Sequence, residues 1–106
     1  MPRLDLDFTD QARIDLLEIE IYSELLWGDM HATSYLDDIS RSIQILLRHP
    51  ESGSLYDDET FGVRTKVSRE HQIHYLVRDN SLIILNVQGP GKELTRNDLE
   101  RLIPGI

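Results

Sequence analysis

A chain of 106 residues has room for one real hydrophobic core, and 40% hydrophobic with 28% charged residues is the balance of a folded protein, not a disordered one. The absence of cysteine excludes a disulfide framework, thiolate zinc sites and thiol catalysis together, and a net charge of −8 argues against generic nucleic-acid binding, because phosphate contacts need Lys and Arg. That charge is uneven: residues 1–62 hold 4 Lys and Arg against 14 Asp and Glu, net −10, whereas residues 63–106 hold 7 against 5, net +2, which hints at two surfaces with different partners.

Residues 1–8, MPRLDLDF, lack the apolar run of a signal peptide, and no later segment is apolar for long enough to span a bilayer. A soluble cytoplasmic protein with no membrane contact is therefore expected, folded as one domain over residues 1–106. Residues 3–8 alternate, with Leu4, Leu6 and Phe8 on one side, as in a half-buried strand. Thr9 can cap the helix that follows, and Asp10 suits the positive end of its dipole. This first helix should run to about Trp27, with Leu16, Leu17, Ile19, Ile21, Leu25 and Leu26 forming a broad apolar surface.

Gly28 supplies a left-handed stop. Asp29 is a candidate cap for a second helix, in which Ala32, Tyr35, Leu36, Ile39, Ile43, Leu46 and Leu47 recur at three- and four-residue intervals. A corner this tight predicts an antiparallel helix hairpin. Residues 50–62, PESGSLYDDETFG, read as loop. From Val63 the period becomes two, predicting strands at Val63–Val67, His71–Val77 and Leu82–Val87, the last two joined by a turn at Asp79–Ser81. The run LIILNV is apolar on both faces and should lie inside the sheet. GPG at 89–91 ends it, and Thr95 with Asp98 resembles a capping box that opens a short last helix to about Leu102. The fold class expected is α+β: a strand, a helix hairpin, a three-stranded antiparallel meander and a short helix.

Within REHQIHY, residues 69–75, two histidines three positions apart invite a metal-site reading. On a strand, however, His71, Ile73 and Tyr75 share one face while Gln72, His74 and Leu76 share the other, so the two imidazoles cannot clasp one ion. No metal site is expected.

The ordered set LLWGDMHATSYLDDI, HPESG, FGVR and HQIHYLV resembles the ParE branch of the RelE/ParE toxins of type II toxin–antitoxin modules. Trp27 and Gly28 at the corner, Ala32 and Tyr35 in the second helix, Pro50 and Gly53 after it, Gly62 and Arg64, then His71, Ile73 and Tyr75 carry the pattern, which covers residues 4–88. The resemblance implies a cytoplasmic toxin that inhibits DNA gyrase by binding, with no catalytic residue and no cofactor, held silent in a hetero-oligomer with a ParD-like or similar antitoxin. Asn86 to Leu94, NVQGPGKEL, departs from the leucine-histidine and methionine-aspartate pairs usual there.

The RelE branch of the same fold instead cuts messenger RNA on the ribosome, which needs a base near the 2′-hydroxyl and cations on the phosphate. Arg64, Lys66, Arg69, His71, His74 and Tyr75 are the residues on offer, but the segment after residue 85 contains no His and no Tyr. That activity is the second reading, and a non-toxic interaction module on the same fold is the third. Among individual residues, Trp27 is expected to pack the hairpin corner against the sheet, with Gly28, Tyr35 and Gly62 as further structural positions. Arg64 either pairs with an acid of the hairpin or contacts a partner. His71 and Tyr75 share a face as hydrogen-bonded scaffold and candidate partner contacts, and Lys92 is an exposed basic tip for a large partner. The antitoxin segment is expected to cover apolar positions on the hairpin and the adjoining sheet.

Overall fold

A computed structural model describes residues 3–56 and 60–105. Strand β1 (Asp5–Phe8) leads into helix α1 (Asp10–Trp27), whose first turn is capped by the Thr9 hydroxyl accepting from the Ala12 amide at 3.0 Å. Helix α2 (Asp29–Arg48) begins only two residues after α1 ends. Gly28, at φ 84° and ψ 173°, closes one helix and opens the other in a conformation that a side chain would strain. Asp29 is consequently the first residue inside α2 and not its cap, since the shared corner leaves no room for a separate capping residue; its charge still suits the helix dipole.

The loop expected over residues 50–62 is more ordered than its composition suggests. A 3-10 turn at Pro50–Ser52 leads into β2 (Ser54–Leu55), which pairs antiparallel with Arg64 and Thr65. Residues 57–59 of that stretch lie outside the described residues. Strands β3 (Arg64–Ser68), β4 (His71–Arg78) and β5 (Ser81–Gln88) form the expected meander, and Asp79 and Asn80 both take positive φ in the tight turn between the last two. The sheet order is β1-β5-β4-β3-β2, with β1 parallel to β5 from Asp5 opposite Ser81 to Phe8 opposite Ile84.

Each face of the sheet carries its own core. The hairpin places Ile19, Tyr35, Ile39, Ile43, Leu46 and Leu47 against Ile73, Tyr75, Leu82, Ile84 and Val87. On the other face, helix α3 (Arg96–Leu102) and Ile103 cover Val63, Leu76, Ile83 and Leu85. LIILNV is therefore an interior strand buried on both sides, as its composition requires. The helix α3 opens with the expected reciprocal bonds between Thr95 and Asp98, at 2.9 and 3.1 Å. A bulge shifts the register beyond His74 opposite Asn86, because Tyr75 faces Ile84 and leaves Leu85 unpaired. The extra residue turns Val87 back to the hairpin face beside Ile84.

The Tyr75 ring is fully buried, and its hydroxyl ties the ordered loop to the sheet. It donates to the Pro50 carbonyl at 2.5 Å and accepts from the Gly53 amide at 3.0 Å, while Arg64 donates to the Gly53 carbonyl at 2.8 Å. A side chain at Gly53 would collide with the Tyr75 hydroxyl and meet the Thr65 carbonyl oxygen at 2.8 Å, so glycine is required there for close approach. Tyr75→Phe strands the buried Gly53 amide and the half-buried Pro50 carbonyl and is expected to cost about 1–3 kcal/mol. Gly53→Ala should cost about as much through overpacking. Urea unfolding of the two variants and the double variant checks this, and free energies that simply add would show that the two residues do not share one contact.

Candidate functional site

Where β1 ends, the edge of β5 would be left with unpaired backbone groups, and α1 supplies their partners. The Thr9 hydroxyl donates to the Leu85 carbonyl at 2.5 Å, and the Asp15 carboxylate accepts from the Val87 amide at 2.9 Å. These two side chains, one at the cap of α1 and one in its second turn, lie six residues apart and fix the rotation of the helix about its own axis. Ala12, Ile19 and Ser23 consequently turn inward.

Helical spacing puts another set opposite them. Ile14, Leu17, Ile21 and Leu25 recur at three- and four-residue intervals, and they are between 49% and 80% exposed. Glu18, Glu20 and Glu24 flank them. The helix is thus apolar on two sides, and the broad single surface expected from sequence is corrected to an inner stripe and an outer one. The signal was present: residues 12, 16, 19 and 23 make one stripe, residues 14, 17, 21 and 25 a second. A run apolar all round had obscured it.

Beside α1 lies a cleft of about 590 Å³ whose walls include Ile19, Tyr22, Tyr35, His71, Val87 and Lys92. Trp27 stands at its end, half exposed, with its ring stacked on Tyr35 at 6.4 Å between centroids. The expectation that Trp27 packs the corner against the sheet is therefore corrected: the indole lies over α2, because Gly28 turns the chain before the ring can reach the strands. Tyr35 is buried, and its hydroxyl shares a short hydrogen bond with Nδ1 of His71. Burial lowers the His71 pKa and raises that of Tyr35, so in neutral solution the bond joins a protonated phenol and a neutral imidazole. Arg69 lies over the Tyr35 ring at 5.0 Å and is anchored by Asp38 at 2.5 Å.

The candidate residues divide. His71 and the exposed Lys92 share the cleft, and the Lys92 carbonyl accepts from Gln88 Nε2 at 3.0 Å. Arg64 and Tyr75 are joined to each other through Gly53 on the loop side. The expectation that Tyr75 contacts a partner is corrected, since it has no exposed surface to offer; the expectation that Arg64 pairs with an acid of the hairpin is replaced by its bond to the Gly53 carbonyl. Gly62 sits exposed in the segment before β3, at φ 73°.

His71 and His74 point to opposite faces. His74 is fully buried, bonded to the Thr65 hydroxyl at 2.8 Å and packed edge-on against Tyr56 at 4.6 Å. Among the described residues no group of three His, Cys, Asp or Glu is placed to hold a metal, and no helix is long and apolar enough to cross a membrane. The cleft is lined mainly by apolar side chains, with the carboxylates of Asp15, Glu18 and Glu70 and the ammonium of Lys92 among them, which suits an apolar anchor carried by a polar segment.

Comparison with known proteins places this geometry. Residues 6–89 match the family model described as the ParE toxin of the type II toxin–antitoxin system parDE. The chain is 31% identical over 67 residues to Toxin ParE1 of Caulobacter vibrioides, covering 63% of this chain and 70% of that protein. A structure of the chromosomal ParDE toxin–antitoxin system from P. aeruginosa aligns with a TM-score of 0.71 at 23% identity, covering 83% of this chain and 97% of its own. The toxin–antitoxin complex RelBE2 from Mycobacterium tuberculosis shares the fold at a TM-score of 0.59 and 21% identity, over 87% of this chain and 97% of that one.

His74 has a direct consequence for acid stability. Burial pushes its pKa down from 6.5 to about 4, so the unfolded chain binds a proton that the folded chain refuses between those values. Its contribution is intact above pH 6.5 and is lost as pH falls toward 4, by about 3 kcal/mol. Urea unfolding at stepped pH should show a steeper loss in the native chain than in His74→Gln; parallel curves would contradict the assignment.

Proposed function

The chain belongs to the ParE family of toxins of type II toxin–antitoxin systems, and from that premise we propose that it acts in the cytoplasm by binding DNA gyrase, without breaking a bond in it, and is neutralised by a cognate antitoxin. The observation that carries a binding function is the outer stripe of α1. Four aliphatic side chains in a row facing solvent are a liability for a protein that works alone and a contact surface for one that works in a complex. His71 and Lys92 at the cleft are the charged or titratable contacts we assign to partners, with Tyr35, itself stacked on Trp27, positioning the histidine ring.

The ribosome-dependent ribonuclease reading has one observation in its favour, the neutral imidazole of His71 in an open cleft. Against it stand the capture of Nδ1 by Tyr35 and the anchoring of Arg69 to Asp38, which spends that cation on structure.

The test is DNA supercoiling by purified gyrase with the folded chain added alone and then with its antitoxin. Inhibition relieved by the antitoxin is expected, and Lys92→Ala should weaken inhibition about tenfold, equivalent to about 1.4 kcal/mol. Unimpaired supercoiling in the presence of folded chain would remove gyrase as the target, and messenger-RNA cleavage in a ribosome-containing assay would then establish the enzymatic alternative.

A further inference from the structure

Residues 1–62 are strongly acidic, yet three of their four cations are gathered at one place. Helical spacing makes the cluster: Arg41, Gln44, Ile45 and Arg48 project from one side of α2, opposite the buried Ile39, Ile43 and Leu46. Arg3 joins them by donating to the side-chain carbonyl oxygen of Gln44, and with His49 the four α2 residues line an open hollow of about 400 Å³. We infer that this end of α2 docks a partner protein through an acidic segment that carries one aliphatic side chain between two carboxylates. The surface shares no residue with the cleft of His71 and Lys92 or with the outer stripe of α1, so it goes beyond the function proposed above.

Charge makes this end of α2 attractive to anions. Arg13, Arg96 and Arg101 each lie beside a carboxylate of their own helix, whereas Arg3 and Arg48 form no ion pair among the described residues. Asp38 lies 2.9 Å from Arg41 and 2.5 Å from Arg69, so one carboxylate serves two guanidiniums. A chain of net charge −8 therefore keeps a local positive field here, which steers acidic partners to this face. Ile45, 44% exposed at the centre, selects among them. A nucleic-acid duplex would leave that aliphatic surface unmatched and would carry its further phosphates over Asp37, which stands one turn before Arg41 on the same side. A second copy of this chain brings its own charge of −8 against that of the first. A short acidic segment meets neither obstacle. Arg41 and Arg48 are about 10 Å apart along the helix, at about 1.5 Å per residue, and in an extended segment alternate side chains share one face. Carboxylates four positions apart span about 13 Å, within reach of two flexible arginines, and the aliphatic residue midway between them falls over Ile45.

The experiment uses the full chain and three fluorescently labelled nine-residue peptides, with binding read by anisotropy at about 0.05 M salt. One peptide carries Glu at its third and seventh positions and Leu at its fifth in a Gly-Ser background; the second has Gln for Glu, and the third has Ser for Leu. The acidic peptide with leucine should bind at least tenfold more tightly than the Gln peptide and at least threefold more tightly than the Ser peptide, and about 0.3 M salt should weaken it at least threefold. Arg41→Gln with Arg48→Gln should weaken it at least tenfold, whereas Arg13→Gln with Arg101→Gln, an equal loss of charge elsewhere, should leave it within about twofold. Equal affinity for the Gln or the Ser peptide overturns the inference, as do equal losses from the two double variants or no binding at about 1 mM peptide. A 15-base-pair DNA duplex bound as tightly as the acidic peptide, or self-association of the native chain abolished by the α2 substitutions, would identify another occupant and overturn it equally. Neither gyrase nor antitoxin enters the assay, so inhibition of supercoiling can stand or fall without changing the peptide result.

Discussion

The rotation of α1 about its axis is the constraint from which the functional surface follows. Strand β1 covers β5 only as far as Ile84, and the remaining edge would expose backbone groups that a buried strand cannot leave unpaired. Thr9 and Asp15 reach across to Leu85 and Val87, replacing the missing strand with two side chains. One caps and the other belongs to a helix whose inner contacts are small or slender, Ala12, Ile19 and Ser23, so α1 lies close against the sheet. Once those contacts are made, no freedom remains to bury the second set of aliphatic residues. The surface proposed for binding is the geometric remainder of the surface that folds the protein.

The sheet beneath can hold that helix because it is covered on both sides. Strand β5 sends Leu82, Ile84 and Val87 to the hairpin and Ile83 and Leu85 to α3, the bulge allowing the alternation to change phase near its end. Tyr75 links the centre of the sheet to the turn at Pro50 and Gly53, while His74, on the opposite face, is held neutral beneath Tyr56. Polar groups on β4 thus serve the interior, and the cleft beside α1 retains only His71 among the histidines of that strand. In this arrangement the scaffold and the contact surface use different residues of the same short motif, REHQIHY.

Much of this organisation was legible in the sequence. The change of period from three and four to two at Val63 separates helices from strands, Thr9 and the Thr95–Asp98 pair mark helix starts, and the two-sided apolarity of LIILNV places that strand inside the sheet. What escaped was decided by contacts between distant residues. The order in residues 50–55 comes from Tyr75 and Arg64, which propensity cannot see. The size of Trp27 points to the core, yet the turn at Gly28 delivers it to Tyr35. Tyr75 carries the family pattern, and only the fold reveals that it does so from the interior. The outer stripe of α1 is visible as spacing, but which of two stripes faces inward depends on Asp15 finding the Val87 amide 72 positions away.

The central claim is that α1 divides its aliphatic residues between folding and binding. The most direct measurement is the urea-unfolding free energy of Leu17→Ala with Ile21→Ala beside that of Ile19→Ala. If the division holds, the outer pair changes stability by no more than about 0.5 kcal/mol, as exposed substitutions do, while the single inner change costs about 2–5 kcal/mol. A comparable loss from the outer pair would mean that those residues hold the fold together, and the binding surface assigned to α1 would have to be given up.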